Sequence, residues 1–128
     1  HEFWTRRPQQ DKGGRQLEKP YYGMSSGPNA LARACADGCE QIYLIGFDFG
    51  SPTEFVNNVY AGSPHYKGRT EKSTYYDNWV RQIIMVADKF SNNMFYRVMG
   101  QESTDIDFSR PFIQTINIDS FKTVINNT

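Results

Sequence analysis

"SSGPNALARACADGCEQIYLIGFDFGS", Ser25 to Ser51, decides the fold of this chain. It opens on a polar turn, continues through small and helix-forming residues, stops at Gly38 and ends in one apolar run. Ser25 and Ser26 are cap residues, because a short hydroxyl can accept from N–H groups that a first helical turn leaves unpaired. Pro28 suits that turn, where its missing N–H has no partner in any case. Ala30, Leu31, Ala32, Ala34, Cys35 and Ala36 predict a helix slim enough to lie close on a sheet. Gly38 supplies the left-handed backbone that ends it. "QIYLIGFDF" is almost continuously apolar, the pattern of a strand buried on both faces of a parallel sheet. A helix running directly into such a strand is half of a βαβ unit. Asp48 then closes the strand on an acid.

After Asp48 the pattern breaks. "GSPTEFVNNVYAGSPHYKGRTEKS" carries Gly, Pro, Asn and Ser throughout and predicts a long loop. It leaves the carboxyl end of a parallel strand, where open α/β sheets bind their ligands. From Ser73, "STYYDNWVRQIIMVADKF" predicts a helix with Trp79, Ile83, Ala87 and Phe90 on one stripe and Val80, Ile84 and Val86 beside it. Ser73 or Thr74 is the expected cap, with Asp77 in the first turn. "NNMFYRVMG" predicts turn then strand, "FIQTINI" a further short strand, and "DSFKTVINN" an Asp-capped helical turn. Upstream, "HEFWT" is a candidate strand, and "RRPQQDKGGRQLEKP" lacks any period and reads as loop.

The totals bound what such a chain can do. Its 128 residues suit one domain, residues 1–128, with 1–24 irregular. Fourteen basic and fourteen acidic residues cancel, which argues against nucleic acid as a partner. Arg6, Arg7, Lys12, Arg15 and Lys19 crowd the first 20 residues, either as a solvated loop or as a phosphate-contacting patch. Eight Tyr and nine Phe can fill a core, and Tyr also suits surfaces that stack on sugars or bases. Cys35 and Cys39 form no C-x-x-C motif and have no metal-binding partners nearby, so two buried free thiols in a reducing compartment are expected. No run approaches the length of a membrane span and no signal peptide is visible, so the expected location is cytoplasmic.

His65, in "SPHYKGRT", is the residue most suited to chemistry. An imidazole near neutrality can take a proton from a sugar hydroxyl or from water; the alternative is an ordinary surface His. Lys67 and Arg69 could neutralise a phosphate leaving group or simply be solvated. The Ser25–Gly27 turn offers main-chain N–H groups to an anion, as any helix start does. No Gly-rich phosphate loop of the usual kinds occurs. The "DFG" at Asp48–Gly50 lacks every other kinase motif. Asp105 and Asp107 form a D-x-D that could hold a cation, though acidic loop residues are common.

Together these segments resemble the bacterial sialyltransferases that use CMP-sialic acid. Those carry a T-S-G turn, a small-residue helix, an "EIYLSGIDF"-type strand and, later, a catalytic His in an S-H-Y stretch. "SPHYKG" is similar, with Pro64 inserted. The helix–strand–GxD pattern is also similar to the motility-associated flagellin glycosyltransferases and to Rossmann-like relatives encoded by phages and marine bacteria. The resemblance runs from about Ser25 to Val98. It implies an α/β, Rossmann-like three-layer fold with a small, mostly parallel sheet, in one form a truncated half of a larger domain. It implies a metal-independent glycosyltransferase with a nucleotide-sugar donor as substrate, an acceptor glycan and no cofactor. Ser25, Ser26 and Gly27 match the turn that holds the donor's carboxylate, with Asp48 joining the donor-binding set, and His65 matches the general base. Such enzymes carry phosphate-stabilising tyrosines just after the strand, where this chain has "GSPTEF". Tyr60 and Tyr66, with Lys67 and Arg69, are the remaining candidates for that contact.

Only 24 residues precede the matching turn, so the half that supplies nucleotide-binding loops is expected to be absent or much reduced. That leaves a second reading, a non-catalytic Rossmann-like module for binding or assembly. In either case an uncovered sheet edge predicts a homodimer.

Overall fold

The helix foreseen after Ser25 is α1, Ser26–Ala36, with Ser25 as its N-cap. It ends as Gly38 requires. Asp37 is the C-cap, Gly38 follows at φ +94°, the Gly38 N–H donates to Cys35 O and the Cys39 N–H to Ala34 O. Those two bonds are the Schellman pattern, which satisfies carbonyls the last turn would leave open. The computed structural model describes residues 3–5, 13–16, 24–50, 63–64, 68, 76–101 and 103–128.

Among these residues the chain is α/β, with three helices and a small three-stranded parallel sheet. In chain order the elements are β1 (Phe3–Thr5), β2 (Gly14–Gln16), α1, β3 (Gln41–Leu44), α2 (Asp77–Lys89), β4 (Met94–Met99), β5 (Ile113–Asn117) and α3 (Ile118–Asn126). The sheet runs β3-β4-β5, with Ile42 opposite Phe95 and Phe95 opposite Ile113. β1 and β2 form a separate parallel pair. The "HEFWT" strand therefore exists but does not join β3's sheet, and the segment read as loop contains β2.

Period-two alternation sorts the sheet's side chains. Ile42, Leu44, Phe95, Arg97 and Ile113 share the face covered by α1 and α2, where Leu31, Ala32, Cys35, Ile83, Val86 and Ala87 complete the core. Burying a side chain such as Ile83 or Phe95 contributes about 1.5–3 kcal/mol. The connection from β4 to β5 holds no helix among the described residues, yet it crosses this same face, because Phe108 lies in the core and Ile106 packs against it. Arg110 pins that connection to α2 through both oxygens of Asp88, at 2.6 and 3.0 Å. On the opposite face Tyr43 stacks on Tyr96 at 4.9 Å between ring centroids and meets Phe121 of α3 at 5.3 Å.

Several expectations need correction. β3 is not a long strand buried on both sides. It has four residues and a single strand neighbour among the described residues, and its most apolar continuation fails because Ile45 is exposed and Gly46 turns at φ +78°. The central strand is β4, with Phe95, Arg97 and Val98 buried. α2 starts at Asp77 with Tyr76 as N-cap, and the proposed caps Ser73 and Thr74 lie outside the described residues. α3 is capped by Asn117, whose Oδ1 accepts from the Ser120 N–H at 2.8 Å, rather than by Asp119. Only one of the two free thiols is buried: Cys35 is inside and Cys39 exposed. Burial raises the Cys35 thiol pKa above its ordinary value, a hydrogen bond with Asn93 opposes that, and the nearby Cys39 adds to it.

Candidate functional site

Parallel α/β sheets bind ligands beyond the carboxyl ends of their strands. Here β3 ends at Leu44, and residues 46–50 turn back over β4. Three of those five residues have left-handed φ: Gly46 at +78°, Phe49 at +53° and Gly50 at +145°. For Phe49 this conformation costs of order 1–2 kcal/mol. Burial offsets that cost: the Phe49 ring packs edge-on to Phe108 at 5.9 Å and beneath the Arg97 guanidinium at 5.1 Å.

Arg97 holds the turn in this shape. It stands opposite Leu44 in the ladder and is wholly buried. Its Nε donates to Phe47 O at 2.9 Å and its Nη2 to Asp48 O at 3.0 Å. Burial pushes the guanidinium pKa down; Asp48 and then Asp105 pull it back up. The Asp48 carbonyl also accepts from the Thr104 N–H at 3.0 Å, and its carboxylate Oδ1 from the Ser103 hydroxyl at 2.8 Å. Ser103 Oγ in turn accepts from the Gly100 N–H at 2.9 Å. The ends of β3 and β4 are thus tied into one polar network. At Gly50 even a Cβ would lie 2.7 Å from Thr104 Oγ1, so the two segments touch closely.

The start of α1 meets the same edge. A Cβ on Gly27 would lie 2.8 Å from Cε1 of Phe47, so a ring seated just past β3 fills the space that a side chain would need. Ser25 occupies the N-cap, but its side chain caps nothing, and its main-chain N–H donates instead to Gln82 Oε1 of α2 at 2.9 Å. Pro28 has no N–H, which leaves those of Ser26 and Gly27 as the first-turn donors without an intrahelical acceptor. The Asn29 side chain braces the entry through Nδ2 to Met24 O at 3.0 Å.

Of the residues singled out from sequence, Ser25, Ser26, Gly27 and Asp48 belong to this edge, with Gly27 and Asp48 joined through Phe47. His65, Tyr60, Tyr66, Lys67 and Arg69 lie outside the described residues. Asp107 of the D-x-D accepts from the Ser109 N–H at 2.8 Å, a local turn. Among the described residues no group of three or more His, Cys, Asp or Glu could hold a metal ion, and no helix is long and apolar enough to cross a membrane. Sequence reasoning missed Arg97 and Ser103. Arg97 had one visible signal, a lone charge inside the apolar run "MFYRVM"; Ser103 had none. No family model, curated protein or solved structure matches the chain.

Proposed function

We propose that this chain is a glycosyltransferase-like protein that transfers a sugar from a nucleotide-sugar donor to an acceptor hydroxyl, on a Rossmann-like half-fold. The observation that carries the reading is the contact between Gly27 at the start of α1 and Phe47 just past β3. It supports a single edge where the N–H groups of Ser26 and Gly27 hold the donor's anionic group and Asp48 contacts the donor. His65 accepts the acceptor hydroxyl's proton as that oxygen attacks the sugar's anomeric carbon. The nucleotide phosphate leaves, its charge met by Tyr60, Tyr66, Lys67 or Arg69. The test is release of CMP from CMP-sialic acid in the presence of an acceptor glycan, compared between the native chain and His65→Ala. Release lost in the variant is the expected result; no release from the native chain removes the reading.

A second reading, a non-catalytic binding or assembly module, is favoured by one feature. The sheet face opposite α1 and α2 is met by α3, a nine-residue helix with no buried residue. A homodimer that pairs exposed sheet edges serves either reading.

A further inference from the structure

Arg97 is the one fully buried charged side chain among the described residues. A guanidinium carries five N–H donors in a rigid fork and no acceptor. The Nε and Nη2 donors go to the carbonyls of Phe47 and Asp48, whereas Nη1 is buried and has no partner among the described residues. No carboxylate there forms an ion pair with it, and Asp48 and Asp105 act only through longer-range attraction. A buried cation without a direct ion pair is costly, and a donor left open in a native interior calls for a missing partner.

We infer that Arg97 is the cationic receptor for an oxyanion, a phosphate or a carboxylate, bound at the carboxyl end of β4 beside the N-terminus of α1. The inference rests on the donor-site reading for its place in the fold and adds the charged group that reading lacked. Phe47 links the two halves of the site, since its carbonyl accepts from Arg97 and its ring lies on Gly27. The anion takes the open Nη1 donor, and Phe47 sets the first turn of α1 at the same edge. Guanidinium forks suit both ligand types because their donors match paired oxygens. Entry requires residues 46–50 to swing away from the guanidinium.

The test titrates the full chain with inorganic phosphate and, separately, with free N-acetylneuraminate, following the Arg97 Nε–Hε resonance by NMR and affinity by calorimetry. Saturable binding of at least one probe that moves this resonance is expected, and the responding probe identifies the oxyanion. Arg97→Lys, shown to be folded by circular dichroism, should weaken it about tenfold or more, the loss of one charge-assisted contact. Asp105→Asn keeps the guanidinium and removes a competing negative charge, so it should tighten binding. It also carries the test if Arg97→Lys does not fold. No saturable binding of either probe, equal affinity in a folded Arg97→Lys protein, or unchanged affinity in Asp105→Asn overturns the inference. Binding through Arg97 without sugar transfer upholds the anion site and removes the transfer reading. Transfer whose donor KM is unchanged by Arg97→Lys does the reverse.

Discussion

Ser103 and Asp48 lie 55 positions apart, yet the Ser103 hydroxyl donates to the Asp48 carboxylate at 2.8 Å. The bond joins the segment leaving β3 to the segment leaving β4, at the carboxyl ends of two adjacent parallel strands.

Removing that hydroxyl should loosen the edge without collapsing the fold. Ser103→Ala takes a donor from Asp48 and an acceptor from the Gly100 N–H. Both groups can turn to water, because Ser103 is only half-buried and Gly100 is exposed. The expected cost is about 1 kcal/mol, the net value of an ordinary hydrogen bond. Urea unfolding of the two proteins measures it, and a loss several times larger would mean that the whole turn depends on Ser103.

Gly27→Ala and Gly38→Ala should both destabilise, for different reasons. At Gly27 the backbone is ordinary helix and Ala would be the better helix former, but its Cβ meets the Phe47 ring at 2.8 Å. Displacing that ring costs about 1–3 kcal/mol. At Gly38 nothing lies within 4 Å of a Cβ, and the penalty comes from φ +94°. Adding Phe47→Leu should recover part of the Gly27→Ala loss and none of the Gly38→Ala loss.

Acid should weaken the tie between α2 and the β4–β5 connection. The Arg110 hydrogen bond, followed by weaker Coulomb attraction, holds the Asp88 carboxyl below its ordinary range. The folded carboxyl therefore takes up its proton at lower pH than the unfolded one. Its contribution is complete above the unfolded aspartate range and is lost as pH falls through the lower folded value. Both partners are exposed, so the effect is small and screened by salt. Asp88→Asn should flatten the acid limb of a stability–pH profile at low ionic strength; an unchanged limb would assign it to other carboxylates.

The local punctuation of this fold was legible in the sequence, and its long-range choices were not. Ser25 and Gly38 bound α1 within a residue, and the stripe of Trp79, Ile83, Ala87 and Phe90 marks α2. Hydrophobicity misjudged which strand is buried. "IYLIGFDF" is the more apolar run, yet Gly46 breaks it, while "MFYRVM" takes the middle because Arg97 finds main-chain carbonyls to bind. β2 left no trace, since Gly-Arg-Gln pairs through backbone bonds that carry no side-chain pattern. The Ser103–Asp48 bond depends on two crossovers meeting, which no local window contains.

On the transfer reading, His65→Ala should abolish CMP release and leave the fold intact. Loss of one general base typically lowers the rate by about 10²–10⁴-fold. The rate of CMP release and a melting curve, taken on the same preparations, separate the outcomes. A curve displaced by many degrees would make His65 structural, and unchanged turnover would remove it from the mechanism.

Self-association is the last expectation, and it turns on the outer strands. β3 and β5 each have a single strand neighbour among the described residues, so each offers a row of main-chain donors and acceptors. The β3 side also carries Ile45, exposed just beyond the strand. Two copies meeting antiparallel across β3 would extend the sheet, cover Ile45 from both sides and close a two-fold dimer, the commonest arrangement of soluble chains. Sedimentation at micromolar concentration should therefore give about twice the 14.8 kDa chain mass. Ile45→Lys, which sets a charge beside that edge, should return the monomer and lower the melting temperature only by what association supplied, because Ile45 contributes nothing to the core. A sharp monomer mass for the native chain, constant on concentration, would mean that the edge is covered from within the chain.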